Sequence, residues 1–132
     1  MAGLDAAVKA ALKGPERKDI KIRKHDFNVK KASKKVVNGE THIAGQISHR
    51  VRWTPDDQVF YAIVLKDKKV TKVTRSIKGG GWGKMAGKLA AWIVGSDAAT
   101  AEEIYEKVEG LVVGNWIEAA DVIIGAVALE AV

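Results

Sequence analysis

From Thr41 to Trp53 the side chains change character at every step. Ile43, Gly45, Ile47, His49, Val51 and Trp53 share one parity, while His42, Ala44, Gln46, Ser48, Arg50 and Arg52 share the other. Successive residues of a strand point to opposite faces, so this segment is a strand with one side for a core and one polar, basic side for water. The chain is thereby committed to a sheet covered on a single face. Val59 to Lys66 is apolar on both parities and is expected at the centre of that sheet. Thr54 to Gln58, with Pro55, reads as the turn leading into it, and Asp67 to Lys69 as a tight turn leading out. Val70 to Ile77 then returns with Lys72 on one side and Val73, Arg75 and Ile77 on the other.

Upstream, Asp19 to Lys30 carries Ile20 and Ile22 on one face and then switches parity to Phe27 and Val29, which reads as a bulge near Lys24 to Asp26. Lys30 to Glu40 holds Lys30, Lys31, Lys34 and Lys35 and the turn dipeptide Asn38-Gly39, and is expected to form a flexible basic finger. Consecutive strands tend to be neighbours, so a four-stranded antiparallel meander is the economical arrangement.

Helical spacing brackets the strands. Leu4, Ala7, Val8, Ala11 and Leu12 recur every three or four residues before Gly14-Pro15, predicting a short N-terminal helix over 1–14. After Gly79, Gly80 and Gly81, the residues Trp82, Met85, Ala86, Leu89, Ala90 and Ile93 predict a helix ended by Gly95. Thr100 with Glu103 fits a capping box for a second helix, whose stripe runs Ile104, Val108, Leu111, Val112, Asn115, Ala119, Ile123 and Val127.

By its last turns that helix is apolar almost all round, through Ile117, Val122, Ile124, Ala126 and Leu129. A solvent-facing helix of a small monomer should not be so. One sheet offers one covered face, and two helices compete for it. A partner subunit is therefore expected to cover the remainder, with Leu111, Val112, Trp116, Ile117, Ile123, Ile124 and Val127 in the interface. The expected fold is α+β: a single domain over 1–132 with the short N-terminal helix, a basic β-sheet over 19–77, and a helical oligomerisation region over 82–132 whose two helices pack on the sheet and on a second copy.

The apolar stretch from Gly110 to Val132 raises the question of a membrane. Glu118, Asp121 and Glu130 lie within it and no Lys or Arg follows Lys107, so insertion would be costly and unoriented. No membrane partner is expected. Met1 to Gly14 lacks the apolar run of a secretory signal, and with 0 Cys residues neither disulfides nor thiolate metal sites arise. Both point to a cytoplasmic setting, or to a virion if the chain is viral.

Charge is segregated along the chain. Met1 to Gly80 holds 19 Lys and Arg against 8 Asp and Glu, whereas Gly81 to Val132 holds 3 against 8, within an overall net charge of +6. A basic field of that kind concentrates polyanions.

Catalytic constellations are scarce. His42 and His49 share a strand but have opposite parity, so they cannot ligate one metal, and His25 with Asp26 should diverge at the bulge. His49 falls on the core side and reads as a packed structural histidine. Gly79-Gly80-Gly81-Trp82-Gly83-Lys84 offers glycine-rich backbone with Lys78, Lys84 and Lys88 nearby, but Met85 stands where a P-loop needs Ser or Thr. No parallel βαβ context supports a dinucleotide fingerprint either. Neither an enzyme nor a cofactor is expected.

What remains is a homo-oligomeric, largely sequence-nonspecific nucleic-acid binder. Its contacts are expected from Lys21, Arg23, Lys30, Lys31, Lys34, Lys35, Arg50, Arg52, Lys72, Arg75, Lys78 and Lys84. Aromatic residues make up only 6% of the chain, and Trp82, Trp92 and Trp116 fall at core spacing, so phosphate contact should outweigh base stacking. DNA and RNA remain equally open.

In outline, strands followed by helices is similar to the Whirly and transcriptional-coactivator type of single-strand binders, which oligomerise through their helices. A sheet followed by two partner-clasping helices, in a chain of this length, is also similar to the coat proteins of small RNA phages. The second resemblance implies the alternative of a capsid, tube or nucleoid component assembled around a polyanion. A small inhibitor or adaptor that recognises an acidic protein is a third reading.

Overall fold

A computed structural model describes residues 17–22, 24–30, 32–50, 57–78, 82–84, 87–109, 111 and 113–132. The helix expected over 1–14 lies outside them, as do Arg23, Lys31, Arg52 and Val112. The described residues form an α+β fold, an antiparallel sheet with C-terminal helices packed on it. The sheet has seven strands rather than the four expected. Six lie in line in the order β1-β2-β4-β5-β6-β7, with β3 also pairing with β4.

β1 (Arg17–Ile22) and β2 (His25–Lys30) are a hairpin that sets Ile20 opposite Phe27 and Ile22 opposite His25. The parity switch read as a bulge is therefore a chain reversal. Across a two-residue loop, facing positions always differ in parity, so a core face running through even numbers must continue through odd ones.

β3 (Ser33–Val37) and β4 (Glu40–His49) form a second hairpin. Its turn residues Asn38 and Gly39 sit at φ 51° and 80°, the two positive values a type I′ turn demands. The basic finger expected as a flexible loop is thus a paired strand. β5 (Asp57–Lys66) and β6 (Lys69–Ile77) turn at Asp67 and Lys68 in the same way, with φ 53° and 62°. β5 is flanked by β4 and β6, the central place its two apolar faces required. The β5–β6 register shifts at Val64/Leu65, so Leu65 pairs with Val70 while Val64 pairs with Lys72. That irregularity lets Val70 and Val73 both be buried although their parities differ.

β7 (Trp82–Lys84) pairs with β6 through Thr74 to Ser76, so the residues expected to open a helix extend the sheet instead. Three helices follow where two were expected. α1 (Gly87–Ile93) ends at Gly95, whose φ of 93° suits glycine and whose amide donates to Val70 O at 2.6 Å, fastening the helix end to β6. α2 (Ala98–Glu109) is capped by Asp97. Its Oδ1 accepts from the amides of Ala99 and Thr100, and Thr100 Oγ1 accepts in return from the Asp97 amide. The capping box thus starts three residues before the Thr100/Glu103 pair expected for it.

α3 (Trp116–Ala131) begins afresh at Asn115, which is extended (φ −148°, ψ 175°) and whose Oδ1 accepts from the Glu118 amide at 2.9 Å. The stripe from Ile104 to Val127 therefore belongs to two helices. A 3.6-residue period that stays in phase across a break cannot reveal the break, whereas Gly114 and Asn115 are a helix start in themselves.

α3 packs against β2, β4, β5 and β6 on one side and against α1 and α2 on the other. Every residue from Ala119 to Leu129 is buried. Close approach to α1 depends on Gly125, since a Cβ there would stand 3.3 Å from Ile93 Cδ1. This layering corrects the reason for expecting a partner: the helix is apolar all round because its own chain covers it all round. Ile123, Ile124 and Val127, expected to meet a second copy, lie in the core of one chain, and Leu111, Trp116 and Ile117 are half-buried at its margin. Among the described residues no helix is long and apolar enough to cross a membrane.

Candidate nucleic-acid interface

The helices cover the sheet face bearing Phe27, Val29, Ile43, Ile47, Val59, Tyr61 and Ile63, all buried. The opposite face is open, and strand register fixes what lies on it. One row runs Lys35, His42, Val64, Lys72 across β3, β4, β5 and β6, and the next runs Val37, Glu40, Lys66, Lys69. The exposed side chains of Lys35, Lys66, Lys69 and Lys72 thus converge at the end of the sheet where the β5–β6 turn lies.

Lys66 directly faces Lys69, a like-charged cross-strand pair that costs stability unless an anion lies over it. The counter-charge within reach is modest: Glu40 faces Lys66 across β4 and lies 3.5 Å from His42 Nε2.

The middle of the open face is neutral. Ala44, Ala62 and Thr74 lie in one row, and Gln46, Phe60 and Ser76 in the next. Phe60 is 37% exposed, placing a flat ring among small and hydrogen-bonding neighbours. The far end is mixed: Lys21 faces Asp26, and Arg50 pairs with Asp19 at 3.4 Å. Across β4, β5 and β6 the open face therefore passes from a cationic end to a neutral centre, while β1 and β2 carry acids beside bases and Lys84 of β7 lies opposite Thr74.

Against this geometry the expected contacts divide. Lys21, Lys30, Lys35 and Lys72 are exposed on the open face, and Arg50 joins them at its balanced end. Lys78 is exposed just past β6, where its amide donates to Gln58 O at 2.8 Å. Lys34 pairs with Ile43 and so belongs to the opposite face, exposed beyond the helices. Lys84 lies in β7, opposite Thr74. Lys66 and Lys69, absent from the expected set, are central to the cationic end. Their spacing around the Asp67-Lys68 turn was the signal for them, since a two-residue hairpin brings its flanking residues face to face.

Arg75 is the clear correction. It faces the helices, where its Nε donates to Asp121 Oδ1 at 2.6 Å; Arg75 is 17% exposed and Asp121 1%. A guanidinium committed to a buried carboxylate is not available to phosphate. Comparison with protein families, characterised proteins and solved structures returns no match.

Two tyrosines on the covered side are structural. Tyr61 lies across Gly45, and burial pushes its phenol up to about 12, so it stays a neutral hydroxyl at physiological pH. Tyr105 donates from α2 to Ala126 O of α3 at 3.1 Å. Among the described residues no cluster of three or more His, Asp or Glu could hold a metal ion. A hollow of about 300 Å³ between α1 and α2 is lined by Trp92, Ser96, Thr100, Glu103 and Lys107, where Thr100 is already engaged in capping.

Proposed function

We propose that this protein binds nucleic acid on the open face of its sheet, holding phosphates at the end formed by Lys35, Lys66, Lys69 and Lys72. The observation that carries the reading is the directly opposed Lys66–Lys69 pair, with Lys72 beside it on a face that no helix among the described residues covers. Like charges are tolerated in such register when an anion bridges them, and a polynucleotide supplies anions at regular spacing. The neutral strip around Phe60 adds one ring on which a base can stack, and Gln46 and Thr74 add hydrogen-bonding groups.

With Phe60 the one exposed large hydrophobic ring among the described residues and contacts mainly to phosphate, such binding is largely independent of sequence. Nothing in this reading requires a second copy, because the cations and the ring belong to one sheet. A homo-oligomer built through Ile123, Ile124 and Val127 would need that helix to leave its own sheet for a partner's, which is domain exchange.

Ultraviolet crosslinking of a bound oligonucleotide, mapped by mass spectrometry, tests the location. Adducts are expected on peptides containing Phe60 and the β5–β6 turn. Adducts confined to α2 or α3 would refute it.

A further inference from the structure

A second group of side chains, on the covered side of the sheet, has chemistry that the nucleic-acid face does not use. The ring of His49, at the end of β4, is packed on three sides. His25 lies at 5.4 Å between ring centroids, Phe27 at 5.2 Å, and Trp116 is stacked on it at 5.1 Å with the planes within 1° of parallel. Phe27 is fully buried, and His49 Nδ1 is buried without a hydrogen-bond partner. Trp116 is the first residue of α3, so this stack is where the core helix starts its contact with the sheet.

We propose that His25, packed on the His49 ring, is an acid-sensitive latch that holds the first turn of α3 on the sheet while its ring is neutral and releases it when that ring is protonated.

The charged groups around the pair decide how it receives a proton on His25. Asp57 on β5 places Oδ2 3.6 Å from His49 Nδ1. Arg50, next in the chain, is paired with Asp19 at 3.4 Å. Lys24 and Asp26 flank His25, and Glu118 lies in the first turn of α3, where its amide is taken by Asn115. A proton on His25 sets a positive charge 5.4 Å from the His49 ring on which Trp116 is stacked, at the helix N-terminus that is the positive end of the helix dipole.

Desolvation first, then His49 and Lys24, hold the His25 imidazole below its ordinary value of 6.5, with Asp26 opposing them. The sign follows from linkage. The docked state prefers neutral His25, so the undocked state binds more protons as pH falls below about 6.5, and docking weakens in that direction.

Proton NMR of the full chain between pH 8 and pH 5 tests the latch, following the imidazole resonances together with the Trp116 indole resonance, assigned by its loss in Trp116→Phe. The expected result is a His25 midpoint below 6.5 and a Trp116 shift that tracks it. His25→Gln should remove the acidic step at Trp116, while His42→Gln, on the open face beside Glu40, should leave it. A Trp116 resonance that is flat across the range, or a step that persists in His25→Gln, overturns the proposal. If His25→Gln does not fold, the unmodified chain still decides: a His25 midpoint at or above 6.5 refutes the latch.

Discussion

Replacing Arg75 with Met, with no other change, should be among the most damaging single substitutions in this chain, although arginine looks at first sight like a surface residue. Its partner Asp121 is 1% exposed and sits in a helix whose neighbours from Ala119 to Leu129 are all buried. Removing the guanidinium takes from a buried carboxylate the charge that it pairs with at 2.6 Å, at a cost of about 3–5 kcal/mol. For 132 residues, an unfolding entropy of about 2.1 cal/mol/K per residue makes each kcal/mol worth about 3–4 °C in Tm, so a fall of about 10–18 °C is expected.

Asp121→Leu alone should lose a similar amount by stranding the guanidinium. The double variant Arg75→Met/Asp121→Leu removes both charges and should recover most of the loss, since exchanging a buried ion pair for apolar residues is often neutral or better. Differential scanning calorimetry of the four proteins closes the cycle. Single variants that each cost less than about 1 kcal/mol and add without coupling would refute the buried pair. The double variant should also bind an oligonucleotide as the unmodified chain does, which separates a structural arginine from a phosphate-binding one.

Gly45→Ala should destabilise by about 1–3 kcal/mol, because the new Cβ would overlap the Tyr61 phenol oxygen and stand 2.8 Å from Cε1 of a ring that is 1% exposed; a urea midpoint within error of the unmodified protein would contradict this. Asn115→Ala removes the oxygen that accepts from the Glu118 amide and should cost about 1 kcal/mol, with Asn115→Asp retaining most of the stability; equal losses in both would argue against capping.

Much of this fold was legible in the sequence, and the failures have common physical causes. Alternation in β4 and the two apolar faces of β5 placed the central strands, because burial on one or both faces leaves a direct imprint on side-chain choice. Hairpins disguised themselves. The β1–β2 turn appears in the sequence only as a change of parity, and β3, with all five residues exposed, has no apolar face to betray it. The burial of Ile123, Ile124 and Val127 within one chain was missed because sequence shows which residues shun water but not how many layers the chain itself supplies. Arg75 could have been placed correctly: it shares parity with Val73 and Ile77, and Asp121 is a lone acid amid apolar neighbours. The cationic end of the open face was half legible, with Lys35 and Lys72 identified and Lys66 and Lys69 passed over.

The salt dependence of oligonucleotide affinity tests the proposed cationic end most directly. Fluorescence anisotropy between about 50 and 200 mM salt gives the slope of log K against log salt, which is about −0.7 for each phosphate-bound cation on a single strand. Changing Lys66, Lys69 and Lys72 together to Gln should weaken binding and make that slope shallower by about 2. An unchanged slope, or an unmodified chain that binds no oligonucleotide at the low-salt end, would contradict the account.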